Sequence, residues 1–415
     1  MFRDSHTIVT FGFLLAALIF LEGCKLGYNK TPRRNADSVP PPVCAETPAD
    51  ANLNDNALAV FTTLANFTCG GVTNSNDGYL MGQSLGYGNA MVDDEDENSY
   101  QKLITDFDTE TSKTPALVAI DYEGNQLYSE AELLEANSEL KAHWNKGGFV
   151  SVSWTPLNPW VNDSTDIEGN RGSIGDTAFE EGHSLSALLD DTTEASEIWR
   201  RKLDAVAIAL KDLQDHDESV VVLWRPLPEA NSNKYWWGLD ALEDEEGNLS
   251  AQIYKDLWQD MFDYLTDTKE LHNLLWVYTA APSVDTTNDN GETVIKSGTA
   301  VNWAYPGDNY VDVVAGMAEN DQLTIKDYIA LKDINRPLGL AKYGPEPAGQ
   351  FSTNGSFDNT TYADRLNGSY SFVSFWISGH NSDNAKQALV SNRNSKELAT
   401  GRSYIFNAED NIRDR

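Results

Sequence analysis

At 415 residues the chain has the length of two or three average domains, but also of one α/β barrel with extensions. It is 40% hydrophobic and 10% aromatic, with 11 Trp, a globular composition rich in indoles. The formal net charge of -34 repels phosphate backbones and anionic lipid, which sets aside nucleic acid and bare membrane surfaces as partners; a neutral polymer feels no such field.

The N-terminus carries an apolar run from Ile8 to Leu21 behind Arg3, too short for a stable membrane span but the size of a signal-peptide core. It ends Leu21-Glu22-Gly23-Cys24, which resembles the bacterial lipoprotein cleavage box, in which the Cys is lipidated; Glu22 departs from the small or apolar residue usual there. Residues 1–24 are thus read as a lipoprotein-like signal peptide that places the protein in the cell envelope, as an outer-membrane lipoprotein, or outside the cell. Residues 25–55, with Pro32, Pro40, Pro41, Pro42 and Pro48, read as a flexible tether. With Cys24 lipidated or removed, Cys44 and Cys69 remain as an even pair in an exported chain, and a bridge between them would stabilise by ~3 kcal/mol in the loop-entropy picture. The six His lack ligand spacing. Asp93-Asp94-Glu95-Asp96-Glu97 and Asn288-Asp289-Asn290-Gly291-Glu292 offer oxygens that could hold Ca²⁺, but neither fits the EF-hand spacing, so both read as solvated loops, and no metal or cofactor is expected.

Residues 56–415 read as one folded unit. Short apolar runs alternate with longer amphipathic stretches, and the predicted strands are Tyr79 to Gln83, Leu117 to Tyr122, Phe149 to Trp154, Ser219 to Arg225, Asn273 to Tyr278, Tyr310 to Ala315, Pro337 to Lys342 and Ser371 to Ile377. The runs are continuous rather than alternating, as in a parallel sheet buried on both faces. Between them, Trp199, Leu203, Val206, Leu210 and Leu213 recur at helical spacing, as do Ile253, Leu257, Met261 and Leu265. Eight strands with intervening helices predict a single (β/α)₈ TIM barrel, an α/β fold whose chemistry sits where the strands end. Gln83, Asp121, Trp154, Arg225, Glu229, Tyr278, Lys342 and Trp376 fall there. Taken singly, Gln83, Asp121 and Tyr278 serve equally well as structural hydrogen-bonding groups.

The densest such stretch runs from Trp224 to Gly238 and reads Trp-Arg-Pro-Leu-Pro-Glu-Ala-Asn-Ser-Asn-Lys-Tyr-Trp-Trp-Gly. A carboxylic acid among aromatic rings suits sugar chemistry, because pyranose faces stack on indoles and the acid can protonate a glycosidic oxygen. A core strand followed by a structural Glu is the competing interpretation.

In order along the chain from Gly78, the sequence resembles glycoside hydrolase family 26, whose best-known members are endo-β-1,4-mannanases. The likeness rests on Gly82-Gln83, Thr114-Pro115-Ala116 before Asp121-Tyr122, His143-Trp144-Asn145 with Gly147-Gly148, Arg225-Pro226-Leu227, Glu229, Asn231 and Trp236-Trp237-Gly238. It continues through Leu271 to Tyr278, Tyr305-Pro306-Gly307-Asp308, Tyr310 to Val314, and Pro337 to Leu340. The resemblance implies a retaining mechanism with one Glu as acid/base after the fourth strand and a second as nucleophile at the end of the seventh, about 5.5 Å apart. Glu229 matches the first. At the second, the family's Thr-Glu-Phe-Gly is here Ala341-Lys342-Tyr343-Gly344, which puts Lys342 at the position of the family nucleophile. The family's Trp-His-Pro is Trp154-Thr155-Pro156, and its Leu-His-Glu is Leu227-Pro228-Glu229. An ammonium cannot lend negative charge to an oxocarbenium-like transition state, and two imidazoles are gone as well.

These departures predict a β-mannan-engaging barrel with impaired catalysis, functioning as a monomer, its membrane link confined to a lipid at Cys24. Trp154, Thr155, Trp160, Arg225, Asn231, Tyr235, Trp236, Trp237, Tyr305 and Trp376 are the expected substrate-binding residues, with Trp236 or Trp237 serving equally well as core. The alternative is a working mannanase, retaining or with a non-standard site in which Glu346 folds back toward Glu229; mixed-linkage glucans and xylans are further substrates in the family. A surface protein that uses neither cleft nor sugar is the third reading.

Overall fold

The computed structural model describes residues 44, 47–69, 79–87, 100–123, 130–161, 172, 183–244, 246–351, 353–370, 372–379, 387–401 and 404–405. Cys24, most of the tether and the acidic run at residues 93–97 lie outside them. Strands β1 (Tyr79–Tyr87), β2 (Leu117–Asp121), β3 (Phe149–Trp154), β4 (Val222–Pro226), β5 (Leu274–Thr279), β8 (Val313–Glu319), β9 (Leu338–Gly344) and β10 (Phe375–Ser378) pair in parallel, and β10 returns to β1. The ring is therefore closed. A short strand β11 (Tyr404–Ile405) pairs beside the start of β1. Each barrel strand overlaps a predicted run, and most begin and end a few residues later than expected.

Helices α1 (Asp55–Cys69), α2 (Asp106–Thr111), α3 (Glu130–Asn145), α4 (Glu194–Gln214), α5 (Gln252–Asp263), α6 (Tyr328–Lys332), α7 (Thr360–Ser369) and α8 (Ser395–Thr400) accompany the strands. Helix α4 starts where Thr193 accepts a hydrogen bond from the Ser196 amide, an N-cap followed by Glu194 and Glu197 in the favourable first turn. All five predicted stripe residues of α4 are buried. His143 at the end of α3 is buried and neutral: burial pulls its pKa down to about 3. A Cβ on Gly148 would come within 2.2 Å of that imidazole, so the His143 and Gly147-Gly148 motif is a packing device that lets the chain turn tightly into β3.

The last part of the predicted tether is not free. Residues 47–54 dock on the barrel where β5, β8 and β9 begin: the Arg336 guanidinium donates to the Thr47 carbonyl, the Ala49 amide to Asp312, and His272 pairs with Asp50 at 2.9 Å. Burial pushes the Asp312 carboxyl up to about 6, although the Ala49 and Trp276 amides and Arg336 oppose the rise. Cys44 and Cys69 are bridged, with Cα atoms 5.6 Å apart, so this segment is tied to the end of α1. Its proline content suggested a tether; its polar groups, finding partners on the barrel, override that.

The Asn288 to Glu292 loop is the tip of an antiparallel hairpin, β6 (Asp285–Thr287) and β7 (Thr293–Ile295). Asn288 accepts from the amides of Asn290 and Glu292 and closes the turn on itself. Among the described residues no group of three or more His, Cys, Asp or Glu is placed to hold a metal, and no helix is long and apolar enough to cross a membrane.

Candidate active site

The phase of each strand decides what reaches the mouth. In β4, Trp224 stacks on Trp154, which stacks in turn on Trp199 of α4, so these rings fill the layer between sheet and helices. Neighbouring Arg225 therefore faces the barrel interior. Its Nε donates to Ser151 at 2.9 Å, and burial lowers its pKa to about 10, against the upward pull of Asp121. Asp121 accepts from Ser153 at 2.8 Å and from Thr155 Oγ1 at 2.9 Å. Thr155, expected among the substrate-binding residues, is thus spent on Asp121 and the Glu123 carbonyl.

After Pro226 the backbone is strained. Leu227 has φ 42° and Glu229 φ 64°, left-handed values that non-glycine residues avoid, at a cost of ~1–3 kcal/mol each. The surroundings hold them there. The Tyr254 hydroxyl donates to the Leu227 carbonyl at 2.8 Å, Trp237 Nε1 to the Pro228 carbonyl at 2.9 Å, and the Glu229 amide to the Thr279 carbonyl at 2.9 Å. Gly238 is required beside them, since a Cβ would meet the Ser232 carbonyl oxygen at 2.1 Å. Such strain clusters at functional sites, and here it fixes where the Glu229 carboxyl stands.

The carboxyl is not free either. Lys234 Nζ lies 3.0 Å from Glu229 Oε1, an ion pair absent from the sequence-based expectations although Lys234 stands five residues along the same string. Burial works against the Lys234 ammonium, but the charges of Glu229 and Tyr235 outweigh it, and its pKa is raised. Burial and the charge of Glu229 likewise raise Tyr235. Any group approaching this carboxyl oxygen must compete with the ammonium.

Several expected platforms prove to be core. Trp154, Trp236, Trp237 and Trp376 are 0% exposed, so none presents a face to a sugar. Trp236 donates to the Pro156 carbonyl, and Trp376 stacks on Tyr362 of α7 at 4.4 Å. Asn231 spends both sides of its amide on Ala281 and Thr299, stapling the loop after β4 to the loop after β5. Tyr305 packs edge-on to Tyr278 and donates to Asp308, whose carbonyl accepts from Arg336 just before β9, so it points toward the opposite end of the barrel. Gln83 and Tyr278 are buried and bonded to backbone. The partly exposed rings include Tyr235, stacked on Trp237 at 4.5 Å, Trp160, stacked on His183 at 5.6 Å, and Trp303, which the sequence did not single out. Trp237→Ala should accordingly act on stability, costing ~3–5 kcal/mol by the cavity it leaves and the lost clamp on Pro228. Denaturant unfolding measures this, and an unchanged midpoint with lost glycan affinity would restore Trp237 as a platform.

Across the ring, a bulge between β8 and β9 sets Lys342 opposite Met317. Tyr343 packs outward on Tyr362 of α7, so Lys342 turns inward at the C-terminal end of the strand, 43% exposed. Its ammonium lies 4.0 Å from Oε2 of Glu319, two residues beyond Met317 on the same face. Glu319 Oε1 is engaged by Gln387 Nε2 at 3.1 Å. Glu346 is exposed on the loop beyond, its amide bonded to Asp321. Glu319, missed in the sequence, lies at the polar end of an otherwise apolar run.

In sequence the chain is 28% identical over 273 residues to a mannan endo-1,4-beta-mannosidase of Bacillus subtilis (strain 168), covering 63% of this chain and 64% of that relative. It is 29% identical over 302 residues to the mannan endo-1,4-beta-mannosidase A and B of Caldalkalibacillus mannanilyticus, covering 72% of this chain and 52% of that relative. The chain thus spans between about half and two thirds of the length of these relatives. In fold it is similar to a Bacillus subtilis mannanase structure, with a TM-score of 0.67 and 23% identity over 88% of this chain and 96% of the other. A sequence model of Glycosyl hydrolase family 26 matches residues 58–400, a stretch that contains all eight barrel strands, and the chain belongs to that family.

Proposed function

We propose that this family 26 barrel binds a β-1,4-mannan-type polysaccharide at its mouth and has lost the family's hydrolysis. The carrying observation is Lys342: the inward position at the end of β9 presents an ammonium, and the carboxyl of Glu229 is held by a second ammonium, Lys234. A retaining displacement needs a carboxylate at the one and a proton donor at the other. The names of the sequence relatives support mannan as the glycan class. Neutral glycan also suits a chain of net charge -34, and the partly exposed Tyr235, Trp160 and Trp303 are candidate rings for stacking.

Isothermal calorimetry with manno-oligosaccharides tests the binding half, with heat of binding expected at up to millimolar sugar. Absence of heat with every β-linked hexose oligomer would favour the structural surface protein. The proposal includes export of the barrel as a monomer, anchored through a lipid at Cys24 or released outside the cell. Metabolic labelling with a radioactive fatty acid, compared with Cys24→Ser, distinguishes the two.

A further inference from the structure

Lys342 and Glu319 form an unusual pair for the floor of a sugar site. Their separation of 4.0 Å is too long for a hydrogen bond, the Lys342 ammonium is 43% exposed, and among the described residues no other carboxylate stands within ion-pair distance of it. Glu319 Oε1 is held by Gln387, whose Nε2 also donates to the Pro345 carbonyl, so the carboxylate is fixed with Oε2 turned to the gap. The mouth therefore offers a donor and an acceptor close enough together for one atom to bridge both from the side.

We propose that this pair is a binding site for one hydroxyl of a neutral hexose. A sugar hydroxyl both donates and accepts. Placed about 2.8 Å from each atom, its oxygen would donate to Glu319 Oε2 and accept from Lys342, with an angle of about 90° between the two partners. Both hydrogen bonds are charge-assisted, which makes them stronger than neutral ones and directional. The substitution that removes a nucleophile from β9 thus supplies half of a recognition pair, and the other half comes from the neighbouring strand. The inference rests on the glycan-binding reading above and assigns its specificity to two residues.

The test is calorimetry of the full chain with mannotetraose, using the wild type, Glu319→Gln, Lys342→Met and the double variant, each checked for unchanged thermal unfolding. Each single change is expected to weaken binding about tenfold or more, the worth of one hydrogen bond to a charged group. The double variant is expected to lose less than the product of the two single losses, because both residues grip the same hydroxyl and each bond strengthens the other. Wild-type binding with unchanged affinity in either single variant, or losses that simply add, overturns the pair and leaves the glycan-binding reading standing. Absence of binding by the wild type overturns that reading itself. Hydrolysis of mannotetraose that Glu319→Gln abolishes would make Glu319 the missing nucleophile and overturn both. If a variant fails to fold, a crystal of the wild type soaked in mannotetraose decides: a sugar hydroxyl within hydrogen-bond reach of Lys342 Nζ and Glu319 Oε2 supports the pair, and a sugar bound elsewhere overturns it.

Discussion

Incubated with soluble β-1,4-mannan, the purified protein is expected to release no reducing sugar above buffer. A retaining glycosidase loses on the order of 10⁴-fold or more when a residue that acts as a unit with its partners is removed. Here the loss is compounded: β9 presents Lys342, Glu229 is paired with Lys234, Thr155 is bonded to Asp121, and Pro228 lacks any side-chain hydrogen-bonding group. Reducing-end assay of wild type beside Glu229→Ala makes the measurement. Turnover shared by both indicates a contaminant, whereas turnover present in the wild type and lost in Glu229→Ala would refute the loss of hydrolysis.

The reverse experiment should produce a gain. Lys342→Glu alone is expected to fail, because it sets a second carboxylate beside Glu319, and like charges at that range disfavour joint ionisation. It also leaves the ammonium of Lys234 on Glu229. The combination of Lys342→Glu, Glu319→Gln, Lys234→Ala, Thr155→His and Pro228→His restores the carboxylate, frees Glu229 and returns both imidazoles. Hydrolysis on the order of 10²-fold above background is expected, the lower end of what a positioned proton donor contributes. A folded combination variant that binds mannan yet stays at background would show that the block lies elsewhere in the mouth.

What the sequence made legible follows from burial. Strands buried on both faces leave uninterrupted apolar runs, so β2, β3 and β5 could be placed to within a residue, and the α4 stripe repeats at helical steps. Strand phase leaves no such trace. In Ser153-Trp154 and Trp224-Arg225 one residue faces the interior and its neighbour the helices, and a shift of one position exchanges their roles. That is why Trp154 and Trp376 read as platforms and are core, while Arg225 was placed at the mouth. The Lys234 pair was hidden for a different reason: it depends on the left-handed turn at Glu229, and nothing in the run Pro228 to Lys234 announces a positive φ at a glutamate. Glu319 needed the bulge beside Met317, a register effect with no compositional mark.

The docked segment at residues 47–54 has an orientational meaning. It meets the barrel where β5, β8 and β9 begin, and the mouth is where the strands end, so the segment lies on the side facing away from the mouth. Cys24 precedes Cys44 by 20 residues, at most about 70 Å of chain. A lipid at Cys24 would therefore hold the barrel by its back. The docked segment and its disulfide would then act as a stiff collar, with the mouth turned away from the membrane.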